Sequence, residues 1–321
     1  MSASGPLLLG IDGGGTTTEA WLAQTGGRVV GRGRAGPSNA KAVGPEAARR
    51  ALDSAIASAF ADAGVIPSPV ASACLGLAGF DRPEDRQLLA AWVHDARWAD
   101  RFVLVNDGDL VIAAGTPEGC GIGVIAGTGS IAVGRTSDGR KARAGGWGHL
   151  IGDEGSAYAV VIAALQMVAR RADGRDSPRA GGDPLASRLC GVLGVETPSR
   201  IVSALYAPGF DRTRIAALAP EVLAAVADAP EIIDLLLVPA GSALAEQASA
   251  VARALDWSPG MLPLAMAGGF LLSAAPVARA LRDGLTASGY DVVATTVPEP
   301  VRGAVILAEQ AWTAPDGYIN S

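Results

Sequence analysis

Hydrophobic and polar positions follow each other along the chain in blocks that predict an α/β protein. Two short apolar runs, Leu7–Ile11 and Ile122–Ala126, each end in a glycine-rich turn and are followed by a second strand-like run. Apolar runs of this length, bounded by glycine, are typical of buried strands. Stretches such as Pro45–Ala63 and Pro83–Ala96 have helical spacing and carry proline in the first turn. The order of elements predicts mixed sheets covered by helices.

The remaining elements follow from the same signals. Strands are predicted at Arg28–Arg34, Val70–Leu77, Phe102–Val105, Leu262–Ala267 and Asp291–Thr295. Helices are predicted at Ala157–Arg170, Pro184–Leu193, Pro198–Tyr206, Arg212–Ala227, Glu231–Leu255, Ala275–Ser288 and Val301–Trp312, with a polar surface loop over Arg171–Asp183. Because the strand–turn–strand pattern occurs twice, about a domain apart, the sequence predicts two related domains that divide near residue 115.

Composition narrows the class of protein. The chain has 321 residues, 49% of them hydrophobic and 18% charged, which predicts a globular protein with a large core. A net charge of −6 without any basic block argues against a nucleic-acid partner. No charge-free apolar run reaches membrane-spanning length, so we expect a cytoplasmic protein without membrane contact. The three cysteines lie far apart, without metal-ligand spacing.

The two glycine turns are candidate phosphate sites. Backbone amides and hydroxyls in such turns can surround a phosphate, and glycine allows the ligand to approach closely. Neither of the two lysines follows a glycine, which excludes a P-loop. Since the turns contain no cation, we expect Mg²⁺ to share the neutralisation, with Asp12 as the nearby carboxylate. The alternative for Asp12 is a turn-stabilising aspartate. A formal G-x-G-x-x-G match at Gly31–Gly36 leads into proline instead of a helix, so we regard it as unrelated to dinucleotide binding.

Two further positions have competing interpretations. Asp107 follows the strand Phe102–Val105, at the end of a sheet where ligands bind, and is a candidate general base for phosphoryl transfer. Alternatively, it caps a helix that begins at Gly108, a role that Asp109 could also take. Trp147, in the second glycine-rich loop, either stacks on a sugar or anchors that loop in the core.

Taken together, the motifs resemble those of a known family. GIDGGGTTT, VNDG, IAGTGS, GGWGHLIGDEGSAY and AMAGG stand in the order found in the BadF/BadG N-acetylglucosamine kinase family. The resemblance implies two ribonuclease-H-like, actin-like ATPase domains with a nucleotide and sugar cleft between them. It implies a domain 1–115 completed by residues 301–321, and a domain 116–300 with helical insertions. ATP with Mg²⁺ is the implied cofactor pair, and the implied assembly is a homodimer.

The resemblance also implies roles for individual residues. ATP phosphates would be held by Gly13, Gly14, Gly15, Thr16, Thr17, Gly127, Thr128 and Gly129, and adenosine by Gly268 and Gly269. Asp12 would position Mg²⁺ through water, and Asp107 would accept the proton of the sugar 6-hydroxyl. The sugar would be bound by Asn39, Asp107, Ser130, Trp147, Gly148 and Asp153. Whether His149 or Glu154 contacts a ligand stays open.

Two departures from the family leave the sugar open. Ile131 stands where animal relatives carry Asn, and Lys41 stands where they carry Trp. If Lys41 points inward, it would favour an anionic substituent, as in N-acetylmuramic acid, and disfavour protonated glucosamine. The expected activity is phosphorylation of N-acetylglucosamine on O6, with glucosamine or N-acetylmuramic acid as alternatives. A different class, the ATPase that activates a dehydratase, requires paired cysteines for an iron–sulfur cluster, whereas Cys74, Cys120 and Cys190 are dispersed.

Overall fold

The chain forms two compact units. A computed structural model describes residues 5–79, 83–176 and 182–314. Unit 1 consists of Met1–Cys120 together with Glu299–Ser321, and unit 2 consists of Gly121–Pro298. The expected polar loop Arg171–Asp183 lies in part outside the described residues, and its first two residues end a helix.

Unit 1 is built on one mixed sheet. Its strands are β1 (Leu7–Gly13), β2 (Thr18–Gln24), β3 (Arg28–Ala35), β4 (Val70–Leu77) and β5 (Ala99–Val105). Its helices are α1 (Ala40–Val43), α2 (Pro45–Ala63), α3 (Pro83–Ala96), α4 (Asp107–Gly115) and, from the end of the chain, α13 (Val301–Thr313), with a short 3₁₀ segment at Pro117–Gly119. The described strands run in the order β3-β2-β1-β4-β5, and β1, β4 and β5 are parallel.

Glycines let two helices pack closely on this sheet. Gly31 and Gly33 of β3 lie against the backbone of α2, where a Cβ would collide with carbonyl oxygens of that helix. The first two glycines of the G-x-G-x-x-G match therefore serve helix packing within a strand. Gly10 of β1 lies against the backbone of α13 at Val305. Leu9, Ile11, Leu52 and Leu75 are fully buried in the core that α2 covers.

Unit 2 repeats the sheet and adds a helical layer. Its strands are β6 (Gly121–Ala126), β7 (Ser130–Arg135), β8 (Lys141–Gly145), β9 (Gly260–Ala267) and β10 (Tyr290–Thr296). Its helices are α5 (Ala157–Ala172), α6 (Pro184–Leu193), α7 (Ile201–Leu205), α8 (Arg212–Ala216), α9 (Ala219–Ala225), α10 (Val238–Ala254), α11 (Gly269–Ser273) and α12 (Ala275–Ala287). The described strands run in the order β10-β9-β6-β7-β8, so the same arrangement of an antiparallel hairpin beside parallel strands occurs in both units.

Several elements differ from the sequence-based prediction. The third strand β8 was not predicted, because Lys141–Gly145 is short and polar and lies at the sheet edge. The expected helix Arg212–Ala227 is split into α8 and α9, with Pro220 in the first turn of the second helix. The expected helix Glu231–Leu255 begins with a π-helical segment, Ile233–Leu237, just before Pro239.

One long helical segment is apolar enough to resemble a membrane span. In the described part of the chain, Ile233–Ala254 meets the length and composition of such a span, and 56% of its most apolar window is buried inside the structure. Leu244, Ala248 and Val251 of α10 are fully buried in the core of unit 2. The hydrophobicity of this segment is thus explained by its position as a core helix.

Candidate functional site

The turn between β1 and β2 is closed by its own backbone. The amide of Gly14 donates to the Thr17 carbonyl at 2.9 Å, and the Gly14 carbonyl accepts from the amides of Ser38 and Asn39 at 3.1 and 3.3 Å. A Cβ on Gly13 would collide with Ser38 and Leu77. Packing therefore requires glycine at Gly13 and fixes the turn against the following loop.

The last glycine of this turn, Gly15, has no such structural requirement. Gly15 does not adopt a positive φ, and a Cβ built on it would meet no atom within 4 Å. Gly127, in the corresponding turn of unit 2, has the same properties. Neither glycine is needed for backbone conformation or for packing. The open space beside both turns is what a ligand that approaches the backbone closely would need.

Several acidic side chains lie near the end of β1. Asp12 pairs directly with Glu19 across the antiparallel β1–β2 ladder. Burial, and then the negative charges of Asp107 and Glu19, raise the pKa of Asp12 from 3.8 to about 7. A divalent cation beside Asp12 would oppose these effects, and its preferred ligands are carboxylate oxygens. The donor set therefore fits Mg²⁺.

Asp107 is not the residue that caps α4. The helix begins at Asp107, and Asn106 is its N-cap: Asn106 Oδ1 accepts from the Gly108 amide at 3.0 Å. Asp109 Oδ2 accepts in return from the Asn106 amide at 3.3 Å, which completes a capping box. Asp107 Oδ1 accepts from the adjacent Gly108 amide at 2.9 Å. Capping by Asp107 is therefore wrong, and Asp109 contributes to the cap only together with Asn106.

Lys41 lies in a short helix, α1, and Asn39 directly precedes that helix, where the sequence indicated a loop. Asn39 caps α1, because its Oδ1 accepts from the Lys41 amide at 3.1 Å, and its side chain lies against Gly79. The Lys41 ammonium forms an ion pair with Asp85 of α3, with 2.9 Å between Nζ and Oδ2. The charge of Lys41 is thus matched by a carboxylate of the same unit.

In unit 2 the turn Gly127–Gly129 is tied to its neighbours. The Gly127 amide donates to the Gly129 carbonyl, and the Gly127 carbonyl accepts from Ala157 at the start of α5, both at 2.9 Å. Gly268 lies against Ala126 at the end of β6, where its positive φ and the nearby backbone require glycine. The structure thereby places Gly268 beside Ala126, the residue that precedes the turn.

Asp153 and Ser130 connect this turn to the second glycine-rich loop. Asp153 is 3% exposed and adopts a positive φ of 64°. Its Oδ1 accepts from the Ser130 amide at 3.3 Å, and the Ser130 hydroxyl donates to the Glu154 carbonyl at 2.7 Å. Oδ2 of Asp153 is buried and, among the described residues, has no hydrogen-bond partner. It lies 3.9 Å from Nη1 of Arg212.

Arg212 is the residue near these positions that sequence reasoning missed. It lies 59 residues after Asp153, at the first position of α8, and no motif surrounds it. A positive charge close to a predicted sugar-binding aspartate could have been found only from the tertiary structure.

The loop that carries Trp147 presents apolar side chains to solvent. Trp147 is 68% exposed, and Leu150 and Ile151 are exposed as well. The alternative that Trp147 anchors the loop in the core is therefore wrong. His149 lies edge-on against Tyr158 of α5, with 5.2 Å between ring centroids. The other end of the loop is held by Gln247, whose Nε2 donates to the Glu154 carbonyl at 3.2 Å.

Each unit thus groups a set of the predicted residues. Unit 1 contains the open turn, Asn39 and the acidic groups Asp12 and Asp107, while unit 2 contains the second turn, the Gly268 region and Asp153 beside Ser130. In the described ranges no three His, Cys, Asp or Glu side chains are arranged to hold a metal by themselves. Any bound cation would need further oxygen ligands, such as phosphate or water.

The repeated sheet and the paired turns define a two-domain, actin-like fold of the kind found in sugar kinases. More narrowly, the chain belongs to the BadF/BadG/BcrA/BcrD ATPase family, which it matches over residues 9–308.

Named relatives agree with this assignment. The N-acetylmuramic acid/N-acetylglucosamine kinase of Clostridium acetobutylicum is 30% identical over 264 residues, which are 82% of this chain and 85% of that protein. The N-acetyl-D-glucosamine kinase of Dictyostelium discoideum is 29% identical over 259 residues, 78% of this chain and 80% of that protein. A crystal structure from Chromobacterium violaceum, named as a candidate N-acetylglucosamine kinase, is 32% identical with a TM-score of 0.72, and the match covers 95% of this chain and 99% of that chain.

Proposed function

We propose that the protein is an ATP-dependent amino-sugar kinase that transfers the γ-phosphoryl group to O6 of N-acetylglucosamine. The relatives from Clostridium and Dictyostelium support the kinase class. The observation that carries the proposal is the position of Asp107: it lies close enough to Asp12 to raise the pKa of that carboxyl, and the cap of α4 is made by other residues. A carboxylate just after the end of a parallel strand suits a general base.

In this proposal the glycine turns bind the phosphates. Gly13, Gly14, Gly15, Thr16 and Thr17 would do so in unit 1, and Gly127, Thr128 and Gly129 in unit 2, with Gly268 and Gly269 against adenosine. The open space at Gly15 and Gly127 supports this assignment, because neither position needs glycine for folding. Asp12 would hold Mg²⁺ through water, and the ion would neutralise the phosphate charge.

The sugar would be bound by the residues that the family resemblance assigns to it. Asp107 would accept the proton of the attacking hydroxyl, while Asn39 would orient neighbouring hydroxyls. Asp153 Oδ2, buried and without a hydrogen-bond partner among the described residues, is the kind of acceptor that a sugar hydroxyl would satisfy. Trp147 and Gly148 would lie against the sugar ring, which the exposure of Trp147 supports. Ser130 would support the sugar site by holding Asp153, whose Oδ1 accepts from the Ser130 amide.

Other acceptors remain as alternatives within the same class. N-acetylmuramic acid is one of them, since the Clostridium relative is named for both sugars. Glucosamine is the other, although an ammonium gains nothing from Lys41 or Arg212. We also propose that the enzyme is a cytoplasmic homodimer, as the family resemblance implies. Buried Cys74 in unit 1 and buried Cys190 in unit 2 give no support to the activator alternative.

The test is a sugar-dependent release of ADP. The purified protein is assayed with MgATP and N-acetylglucosamine, N-acetylmuramic acid, glucosamine or glucose, and phosphorus NMR of the product identifies the phosphorylated oxygen. We expect the N-acetylated sugars to give the highest kcat/KM and the phosphate to be on O6. ATP hydrolysis that none of the sugars stimulates would refute the proposal.

A further inference from the structure

Arg212 lies in a place where a cation can meet a bound sugar. It occupies the first position of α8, after Asp211, whose side chain caps the helix by accepting from the Arg214 amide at 3.0 Å. The Arg212 side chain is 43% exposed, so the backbone is fixed while the guanidinium remains accessible.

The contact between Arg212 and Asp153 leaves hydrogen-bonding capacity on both sides. At 3.9 Å, the separation between Nη1 and Oδ2 is too long for a hydrogen bond. Guanidinium has five donors in a fixed planar arrangement, and the carboxylate is held from its other oxygen by the Ser130 amide. A sugar hydroxyl on Asp153 Oδ2 would therefore place the substituents next to that hydroxyl close to the guanidinium.

Lys41, the cation that the sequence suggested for binding an anionic substituent, is already neutralised. Its ammonium is paired with Asp85 at 2.9 Å. Arginine is also the better partner for a carboxylate, because its planar donors match the two oxygens and lysine offers a single point of charge.

We infer that Arg212 is a specificity-determining residue that binds a carboxylate carried by the sugar. The inference rests on the proposed function and narrows it: the acceptors include amino sugars with an acidic substituent, of which N-acetylmuramic acid is the probe. Arg212 would lie between two carboxylates, that of Asp153 and that of the substrate. The same charge disfavours the ammonium of glucosamine.

The experiment compares kcat/KM for N-acetylmuramic acid with kcat/KM for N-acetylglucosamine in the native enzyme and three variants. Arg212→Gln removes the charge, Arg212→Lys keeps it without the planar fork, and Arg214→Gln makes the same change on the same helix at an exposed position. We expect Arg212→Gln to lower the ratio by about tenfold, the result of losing about 1.4 kcal/mol. Arg212→Lys should lower it less, and Arg214→Gln should not change it.

Ionic strength gives a second readout. Because the pair is partly exposed, added KCl should lower kcat/KM for N-acetylmuramic acid more than for N-acetylglucosamine, and Arg212→Gln should abolish that difference. If Arg212→Gln lowered kcat/KM equally for both sugars, the inference would be overturned, since Arg212 would then only support Asp153. A native enzyme that phosphorylates N-acetylglucosamine but not N-acetylmuramic acid would also overturn it and leave the proposed function intact. Absence of activity on both sugars would instead refute the proposed function.

Discussion

Asp12→Asn is expected to stabilise the ligand-free protein at neutral pH while it impairs the enzyme. The pKa of Asp12 is raised from 3.8 to about 7, so between these values the folded state holds a proton that the unfolded state has released. Stability then falls as pH rises, by about 1.4 kcal/mol per pH unit, and the loss is complete above the folded pKa. Asparagine cannot ionise and removes this loss.

The magnitude follows from the two pKa values. Ionisation of Asp12 lowers the free energy of unfolding by about 1.7 kcal/mol at pH 5 and by about 4 kcal/mol at pH 8. The free energy of unfolding of Asp12→Asn, relative to that of the native chain, should therefore grow by about 2.5 kcal/mol across this range. Burial is the largest cause of the shift. Replacing Glu19 by Gln should therefore reduce the pH dependence only in part.

The assay is urea unfolding at pH 5, 6, 7 and 8, in EDTA and without nucleotide. The transition to follow is that of unit 1, because two units need not unfold together. Asp53→Asn is the matched control: it makes the same substitution at an exposed position of α2 in the same unit. A parallel pH dependence for Asp12→Asn and the native chain would refute the reasoning. Mg²⁺ with an ATP analogue should flatten the pH dependence of the native chain, because a nearby cation favours the charged carboxylate.

Three further predictions concern the other site residues. Gly15→Ala should fold normally, and its free energy of unfolding should rise by up to about 1 kcal/mol. Its affinity for ATP, measured by calorimetric titration, should be at least about tenfold weaker. In contrast, Gly13→Ala should lower the unfolding temperature, because its Cβ has no space. Asp107→Asn should lower kcat by about 10²–10⁴-fold while nucleotide affinity persists, and near-native turnover would leave Asp107 without a catalytic role. Lys41→Ala should change the preference among the sugars by less than about tenfold in kcat/KM, because Asp85 already neutralises it.

Much of the fold could be predicted from local signals. The bounds of α2 and β4 were found correctly, because proline at the start of α2, glycine after it and a continuous apolar run in β4 are strong signals. The strand β8 was missed because a short polar edge strand has no such pattern. The π-helical segment at Ile233–Leu237 has a helical composition, so the sequence cannot distinguish it from an α-helix.

The candidate site was predicted less completely than the fold. Turn residues and Asp12 could be found because they are contiguous with a strand and its glycines. The pairing of Lys41 with Asp85 and the approach of Arg212 to Asp153 depend on side chains that meet only after folding. The cap at Asn106 is local, but the aspartates that follow it were the more obvious candidates. Sequence reasoning therefore named plausible chemistry, but it could not show that Lys41 is paired with Asp85 or that Arg212 lies near Asp153.

Three residues that the sequence motifs indicate as site residues are also unfavourable for the stability of the fold. Asp12 is a carboxyl held beside two others, so its ionisation destabilises the fold. Asp153 has a buried oxygen without a hydrogen-bond partner among the described residues, and Trp147 exposes a large apolar ring. Each feature lowers stability and is relieved by a different kind of contact: a cation, a hydroxyl donor and the face of a sugar. Local conflicts of this kind are expected at functional sites. Because a cation, a hydroxyl donor and a sugar face are the contacts of a metal-assisted reaction on a sugar, these conflicts add support to the kinase proposal.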